Sequence, residues 1–263
     1  MTILTFTTDF GTEDGNVGVM KGIALEIAPD VQIVDLTHQI PPQEIRHAAF
    51  VLNRQIFYFP VGTVHVVVVD PGVGTQRRPI AALVGEQLLV GPDNGVFSPL
   101  YLRAEQQSWP LEIVDLTSRS QYWRGEISHV FHGRDIFSPV GAHLAAGVPL
   151  SEVGTLISDP MRIPWPAAVR EGSQIRGEVI YIDHFGNLFT SIHAADLTGV
   201  DVLSIELAGL RIPGMVETFG QRETGEVIAL YSSTNELLIA RVNGSAAEKL
   251  GAHIGDPVVV TLN

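Results

Sequence analysis

Residues 64–78 read VHVVVVDPGVGTQRR, a run of β-branched residues that leads into a glycine-rich loop. A run such as Val64 to Val69 is typical of a strand buried on both faces, as in parallel sheets. Pro71 cannot donate to a strand ladder, and the glycines that follow it favour a tight loop. We therefore expect Asp70 at the carboxyl end of a central strand, the edge at which open α/β sheets bind ligands.

Two interpretations of this loop stay open on these residues alone. A carboxylate at Asp70 and a guanidinium at Arg77, held together at a sheet edge, would make a binding or catalytic site. Alternatively, Asp70 caps a turn at the end of the strand, and Arg77 is its partner on the surface.

The first half of the chain alternates between strand and helix patterns, which predicts right-handed crossovers and a largely parallel sheet. Strands are predicted over 3–8, 31–36, 64–69, 80–84, 87–90 and 111–116, and helices over 17–28, 43–55 and 136–146. After a proline-rich stretch at 158–172, β-rich runs follow at 175–182, 201–207, 226–231, 236–242 and 257–262. Their spacing is typical of an antiparallel barrel or sandwich. We predict an α/β domain over 1–165 and a β-rich domain over 172–263.

Composition limits the partners of the chain, which has 263 residues, a formal net charge of −13 and no cysteine. The negative charge argues against nucleic acid or an anionic membrane as a partner, though not against a cationic small molecule. The lack of cysteine excludes disulfides and thiolate metal sites. No run approaches the ~20 apolar residues of a membrane span, and the first residues do not resemble a signal peptide. We expect a soluble, cytoplasmic protein.

Three loops of the predicted α/β domain carry candidate site residues, at 9–16, 70–78 and 129–135. The carboxyl ends of the first and third strands share one edge of a parallel sheet, so Asp9 and Asp70 are expected to converge. Asp70, Arg77 and His132 combine an acid, a fixed cation and a titratable base, which could hold and deprotonate a water. A lone loop histidine is also often only a solvated side chain.

A divalent metal would have to use the same polar residues, Asp9, Asp14, Asp70, His129 and His132. Their spacing matches no metal motif, and an arginine beside the carboxylate competes with a cation for it. We predict no metal site, and a metal-dependent hydrolase stays an alternative.

The second domain contains two polar loops. Residues 183–189 read DHFGNLF, in which an aromatic ring could stack on a flat heterocycle and an amide could pair with its edge. A hairpin turn with its aromatics in the core explains the same residues. Residues 232–235 read SSTN, which could hold a carboxylate or form an ordinary β-turn.

Four motifs occur in order along the chain: TTDFGT (7–12), VDPGVGTQR (69–77), FHGRDIF (131–137) and DHFGN (183–187), followed by a tail that ends in LLIARVNGSAAEKLG. Together they closely resemble the S-adenosylmethionine (SAM) hydrolases, also called SAM hydroxide adenosyltransferases, which are relatives of the fluorinase and chlorinase. The resemblance implies an N-terminal α/β domain with a largely parallel sheet and a C-terminal antiparallel β-barrel. It also implies a homotrimer in which SAM lies between the N-domain of one chain and the C-domain of the next.

The resemblance implies a role for each matching residue. The family's water-handling acid, arginine and histidine fall on Asp70, Arg77 and His132. Its substrate contacts fall on Asp9 for the ribose, Asp183 for the methionine ammonium, Phe185 and Asn187 for the adenine, with Asn16, Ser233 and Thr234 as further substrate-binding residues.

The chain departs from the halogenases at decisive positions. They carry a tyrosine in place of Asp70 and a serine in place of Gly133. The arginine with which the fluorinase holds the substrate carboxylate aligns near Thr234, so Ser233, Thr234 or the backbone must make that contact here.

The implied reaction is attack of water or hydroxide on the ribose C5′ of SAM, giving adenosine and L-methionine with no metal or cofactor. A sulfonium leaves as a neutral thioether, so the site has only to orient a nucleophile and exclude bulk water. A SAM-dependent halogenase and a non-catalytic nucleoside- or SAM-binding protein are the alternatives.

Overall fold

The computed structural model describes residues 2–263 and divides into two compact units, one that ends at Pro164 and one over Trp165–Asn263. The strands of the first unit are β1 Ile3–Thr8, β2 Gln32–Thr37, β3 Val64–Val68, β4 Pro79–Val84, β5 Gln87–Pro92, β6 Leu111–Asp115 and β7 Thr155–Leu156. Its helices are α1 Asn16–Ile27, α2 Ile45–Gln55, α3 Ser98–Gln107, α4 Ser138–Ala145 and the short α5 Leu150–Val153. Within residues 2–263, no helix has the length and apolar character to cross a bilayer.

The sheet of the first unit has the strand order β2-β1-β3-β5-β4-β6-β7. Strands β2, β1, β3 and β5 are parallel, and β4, β6 and β7 run antiparallel to their neighbours. Every residue of β3 is buried, with Val66 in the core on one face and Val67 in the core on the other. The expected central strand and largely parallel sheet are confirmed.

Helices α2 and α3 are two of the helical segments that differ from the sequence prediction. Helix α2 begins at Ile45 rather than Gln43, because the backbone of Gln43 takes a left-handed φ of 67° and ends the proline turn before the helix. Helix α3 was not predicted, although Pro99 in its first turn and the buried residues Leu100, Tyr101 and Ala104 have helical spacing.

The second unit is an antiparallel β structure around one hydrophobic core. Its elements are β8 Val169–Glu171, β9 Gln174–Ile182, β10 Leu188–His193, β11 Val202–Leu207, β12 Leu210–Pro213, β13 Val227–Tyr231, β14 Glu236–Arg241, the short α6 Ala246–Leu250 and β15 Pro257–Leu262. The main path β12-β11-β15-β9-β10-β14-β13 is nearly barrel-shaped, as expected, and β8 pairs with β9. Strands β8, β10 and β12 are additions to the predicted set, and β8 lies within the stretch predicted as a linker.

His65 in β3 makes the stability of the first unit depend on pH. It is fully buried between Thr5, whose Oγ1 lies 2.7 Å from Nδ1, and Gln87. Burial lowers its pKa from 6.5 to about 4, so the folded state binds fewer protons than the unfolded state between these values. We expect the free energy of unfolding to fall by about 2 kcal/mol from pH 7.5 to 5. Urea titrations should show this slope, and His65→Gln should remove it; an equal slope in both proteins would contradict the assignment.

Candidate active site

Asp70 and Arg77 form a buried ion pair directly after β3. The Nε of Arg77 donates to Oδ1 of Asp70 at 2.8 Å and to Oδ2 at 3.0 Å, and its Nη2 also donates to Oδ2. The two side chains are only 4% (Asp70) and 8% (Arg77) exposed. The turn itself is closed by the backbone carbonyl of Asp70, which accepts from the Val73 amide at 3.2 Å. The Asp70 carboxylate therefore binds Arg77 and does not cap the turn. This favours the interpretation of the loop as a binding or catalytic site.

Arg77 has a second set of contacts on its outer side. Its Nη2 lies 2.8 Å from Nδ1 of His132, and its guanidinium carbon lies 5.1 Å from the ring centre of Phe137. Its Nη1 is buried and has no hydrogen-bond partner among the described residues. Leaving such a group unpaired costs about 1–3 kcal/mol, so this nitrogen is a donor that a bound water or anion can satisfy.

His132 immediately precedes a π-helix, Gly133–Phe137, a local geometry that is frequent at functional sites. Arginine has no acceptor atom, so its contact requires a lone pair on Nδ1, and neutral His132 then carries its proton on Nε2. Burial, and after it the charge of Arg77, lowers the pKa of His132 below its ordinary value and favours this neutral form. On neutral His132 the ring group left for a ligand is then Nε2–H, which is a donor.

The loops that carry Asp70 and His132 touch through glycine. Gly74 has a left-handed φ of 76°, and a Cβ there would collide with the carbonyl oxygen of His129. Asp135, which is fully buried, accepts from the amide of Ser128 at 2.8 Å and so closes the second loop.

Asp9 begins the loop after β1, and Asn16 follows that loop as the start of α1. The loop lies at the same edge of the sheet as Asp70, because Thr8 is in register with Val68. Oδ2 of Asp9 accepts from the amide of Gln43 at 2.8 Å, and Asn16 is exposed as the first residue of α1. A ring contact joins this loop to the loop of His132. The rings of Phe10 and Phe131 meet edge to face with centres 5.9 Å apart, which joins the Asp9 loop to the His132 loop.

In the second unit, Asp183 organises the turn between β9 and β10. Its Oδ1 accepts from the amides of Phe185 and Asn187, each at 2.9 Å, and its Oδ2 accepts from Nδ2 of Asn187 at 2.9 Å. Gly186 sits at the turn with φ 78°, where any Cβ would collide with Ser245. Phe185 is 73% exposed, so its ring is available for stacking and does not lie in the core.

The turn over Ser232–Asn235 holds a buried acid that the sequence analysis did not single out. Glu236 is 4% exposed, and its Oε2 accepts from the hydroxyl of Thr234 at 2.6 Å and from that of Ser232. Both hydroxyl protons are thus directed to Glu236. Ser233, the third hydroxyl residue of this turn, is exposed.

The structure brings Asp70, Arg77 and His132 into one contact set and places Asp9 in the neighbouring loop and Asn16 at the start of α1. Asp183, Phe185 and Asn187 share one turn of the second unit, and Ser233 and Thr234 share another. In the part of the chain from residue 2 to 263, no cluster of three or more His, Asp or Glu side chains is arranged to hold a metal ion.

This combination defines an α/β unit with a polar site at the carboxyl edge of its sheet, joined in sequence to an antiparallel β unit. Residues 4–154 match the N-terminal domain of the SAM hydroxide adenosyltransferases, and residues 177–259 match the C-terminal domain of the same family. The chain therefore belongs to the SAM hydroxide adenosyltransferase family.

Curated relatives of known name cover nearly the whole chain. The chain is 40% identical over 262 residues to an (R)-S-adenosyl-L-methionine hydrolase of Salinispora tropica, covering 98% of this chain and 97% of the relative. It is 40% identical over 257 residues to an enzyme of the same name from Thermus thermophilus, covering 96% and 97%. A fluorinase of an Actinoplanes species is 29% identical over 296 residues, covering 98% and 97%. The crystal structure of a conserved protein from Thermotoga maritima superposes with a TM-score of 0.89 at 33% identity, covering 99% and 100%.

Proposed function

We propose that this protein hydrolyses SAM to adenosine and L-methionine. The observation that carries the proposal is the contact set of Asp70, Arg77 and His132, in a chain that belongs to the SAM hydroxide adenosyltransferases. The halogenase alternative has less support, because the named hydrolases are 36–40% identical to this chain and the fluorinases 27–29%. A cytoplasmic location stays a prediction from the sequence.

The geometry suits attack by a held water on the ribose C5′. The Asp70 carboxylate accepts a hydrogen bond from the water, while Nε2–H of His132 and the unpartnered Nη1 of Arg77 offer donors that fix its oxygen. As the C5′–O bond forms, the C5′–S bond breaks, and its electron pair stays on sulfur as a neutral thioether. The water then becomes acidic, and Asp70 is the neighbouring acceptor for its proton. Most of the rate gain on this scheme comes from orientation and exclusion of bulk water.

We also propose that no metal or cofactor takes part, because a neutral leaving group needs no Lewis acid. The test of both proposals is a pair of incubations of purified protein with SAM in heavy-oxygen water with chloride present, one with EDTA and one without it. Since the named relatives act on the (R) form, both sulfonium epimers are supplied. A hydrolase places the label on the adenosine 5′ oxygen. Halodeoxyadenosine would indicate a halogenase, no product a binding protein, and loss of turnover in EDTA a metal enzyme.

Asp183→Asn is expected to weaken SAM binding more than adenosine binding. The asparagine keeps Oδ1 for the amides of Phe185 and Asn187. It loses the bond that Oδ2 accepts from Nδ2 of Asn187 and the charge for the methionine ammonium. The effect on SAM should be about 2–4 kcal/mol, or about 30- to 1,000-fold in Kd. Calorimetry with both ligands measures this, and Asp256→Asn, which alters another turn aspartate of the same unit, is the control. Equal losses for both ligands would assign Asp183 a purely structural role.

We propose a homotrimer in which each site combines residues of two subunits, as the family resemblance implies. Co-expression of Asp70→Ala and Asp183→Asn chains, with different affinity tags, tests this. If sites are shared, random mixing leaves about a quarter of them with both wild-type residues, so activity at low SAM should rise well above that of either variant. No gain over the two variants alone would place each site within one chain.

A further inference from the structure

The turn at the end of β5, residues 92–95, touches both ends of the loop that carries Asp70 and Arg77. The sequence analysis assigned no role to this turn. The loop spans residues 70–77. The side chain of Asn94 contacts the residue before it, and the side chain and amide of Asp93 contact the residue after it.

Asn94 holds the end that precedes Asp70. Its Nδ2 donates to the carbonyl oxygen of Val69 at 2.9 Å, and its Oδ1 accepts from the amide of Val96 at 3.2 Å. The pairing of β3 with β5 ends at Val66 and Val90, so the Asn94 bond lies beyond the paired residues. It therefore fixes the backbone from which the Asp70 side chain departs.

Asp93 holds the end that follows Arg77. Its Oδ2 accepts from Nε and Nη2 of Arg78 at 3.0 and 2.7 Å, and its amide donates to the carbonyl of Arg78 at 2.9 Å. Its Oδ1 accepts from the amide of Met161 at 2.7 Å, and the residue is 7% exposed. Both carboxylate oxygens are thus engaged inside the protein, so Asp93 acts on its neighbours and not on a ligand.

We propose that Asn94 and Asp93 are positioning residues that set the distance and orientation between Asp70 and Arg77. The inference rests on the proposed function for its kinetic consequence. The loop at residues 70–77 is rich in glycine and is not paired with any strand. The proposed reaction depends on the positions of the two charged side chains of this loop, Asp70 and Arg77. A displacement near 1 Å at a reacting group costs about 10²-fold in rate, so the loss of either anchor should appear in kcat and not in substrate affinity.

The kinetic test compares Asn94→Ala, Asn94→Asp and Asp93→Asn with wild type, using the full chain. We expect kcat to fall about 10- to 100-fold with KM for SAM within about twofold, since the anchors do not touch the substrate. Asn94→Asp should be as slow as Asn94→Ala because it lacks the donor for Val69, whereas Asp93→Glu should recover part of the rate lost in Asp93→Asn. Arg162→Gln is the matched control, because it breaks a surface arginine pair with Glu105 at 2.5 Å. Unchanged kcat in the anchor variants would overturn the proposal.

A second readout keeps this inference separate from the proposed function. The Nε–H of Arg77, assigned with Arg77→Lys, should give a slowly exchanging NMR signal in wild type and in Arg162→Gln. In Asn94→Ala the signal should shift and exchange faster. If the wild type does not hydrolyse SAM, the proposed function fails and the NMR comparison alone decides the positioning role. An unshifted signal in the anchor variants would refute it.

Discussion

Replacing Asp70 by alanine is expected to lower kcat about 10²–10⁴-fold, the range for a positioned acid–base group. The variant removes the acceptor for the water and leaves Arg77 without its carboxylate partner. The Kd for SAM should change little, because the water site is separate from the contacts to adenine and methionine. Single-turnover kinetics and calorimetry measure the two quantities independently.

A matched control tests the turn-cap interpretation of the same residue. Asp115 also ends a strand of this sheet, and its Oδ1 accepts from the amide of Thr117 at 2.8 Å. Asp115→Ala should cost about 1 kcal/mol of stability, as for a lost cap, with kcat unchanged. If Asp70→Ala behaves in the same way, with a small loss of stability and normal turnover, the site lies elsewhere.

The pair of Asp70→Ala with His132→Ala tests whether the residues act as a unit. Both side chains contact Arg77, so each single variant already disturbs the group that holds the other. Residues that act together give non-additive losses. The double variant should be scarcely slower than the worse single variant. Losses that multiply would show that Asp70 and His132 act at separate steps.

The sequence was sufficient for the sheet and for the two loops that bring Asp70, Arg77 and His132 into contact. An uninterrupted β-branched run is a local signal, and β3 is buried on both faces as that signal predicts. The position of Asp70 at its carboxyl end follows from strand order alone. Strand β10 was missed because its apolar residues are buried in a stretch with little periodicity, whereas α3 was missed although its buried residues have helical spacing.

The hydrogen-bonding role of individual side chains could not be derived from the sequence. The donor role of His132 depends on which of its nitrogens faces Arg77, and this contact spans 55 residues. The anchors at Asp93 and Asn94 look like ordinary turn residues, since their partners are distant in the chain. Glu236 shows the same limit, because the hydroxyls expected to serve a carboxylate are already directed to a buried acid.

The single variant Arg77→Ala is expected to destabilise the protein more than the double variant that carries both Asp70→Ala and Arg77→Ala. The single variant leaves Asp70, 4% exposed, as a buried carboxylate without its cation, and breaking a buried pair from one side costs about 3–5 kcal/mol. The double variant buries no unpaired charge and should recover about half of that loss, even though the contact of the guanidinium with Phe137 is also gone.

Urea unfolding of the four proteins in this cycle gives the coupling energy of the pair. Arg162→Ala supplies the comparison for an exposed pair, since its side chain and that of Glu105 are 44% and 47% exposed, and such pairs contribute about 0–1 kcal/mol. A double variant less stable than Arg77→Ala would mean that Asp70 is solvated once the arginine is removed. In that case the loop opens to water when Arg77 is absent. The proposed mechanism needs a site that excludes bulk water and orients the nucleophile, so this site would require Arg77.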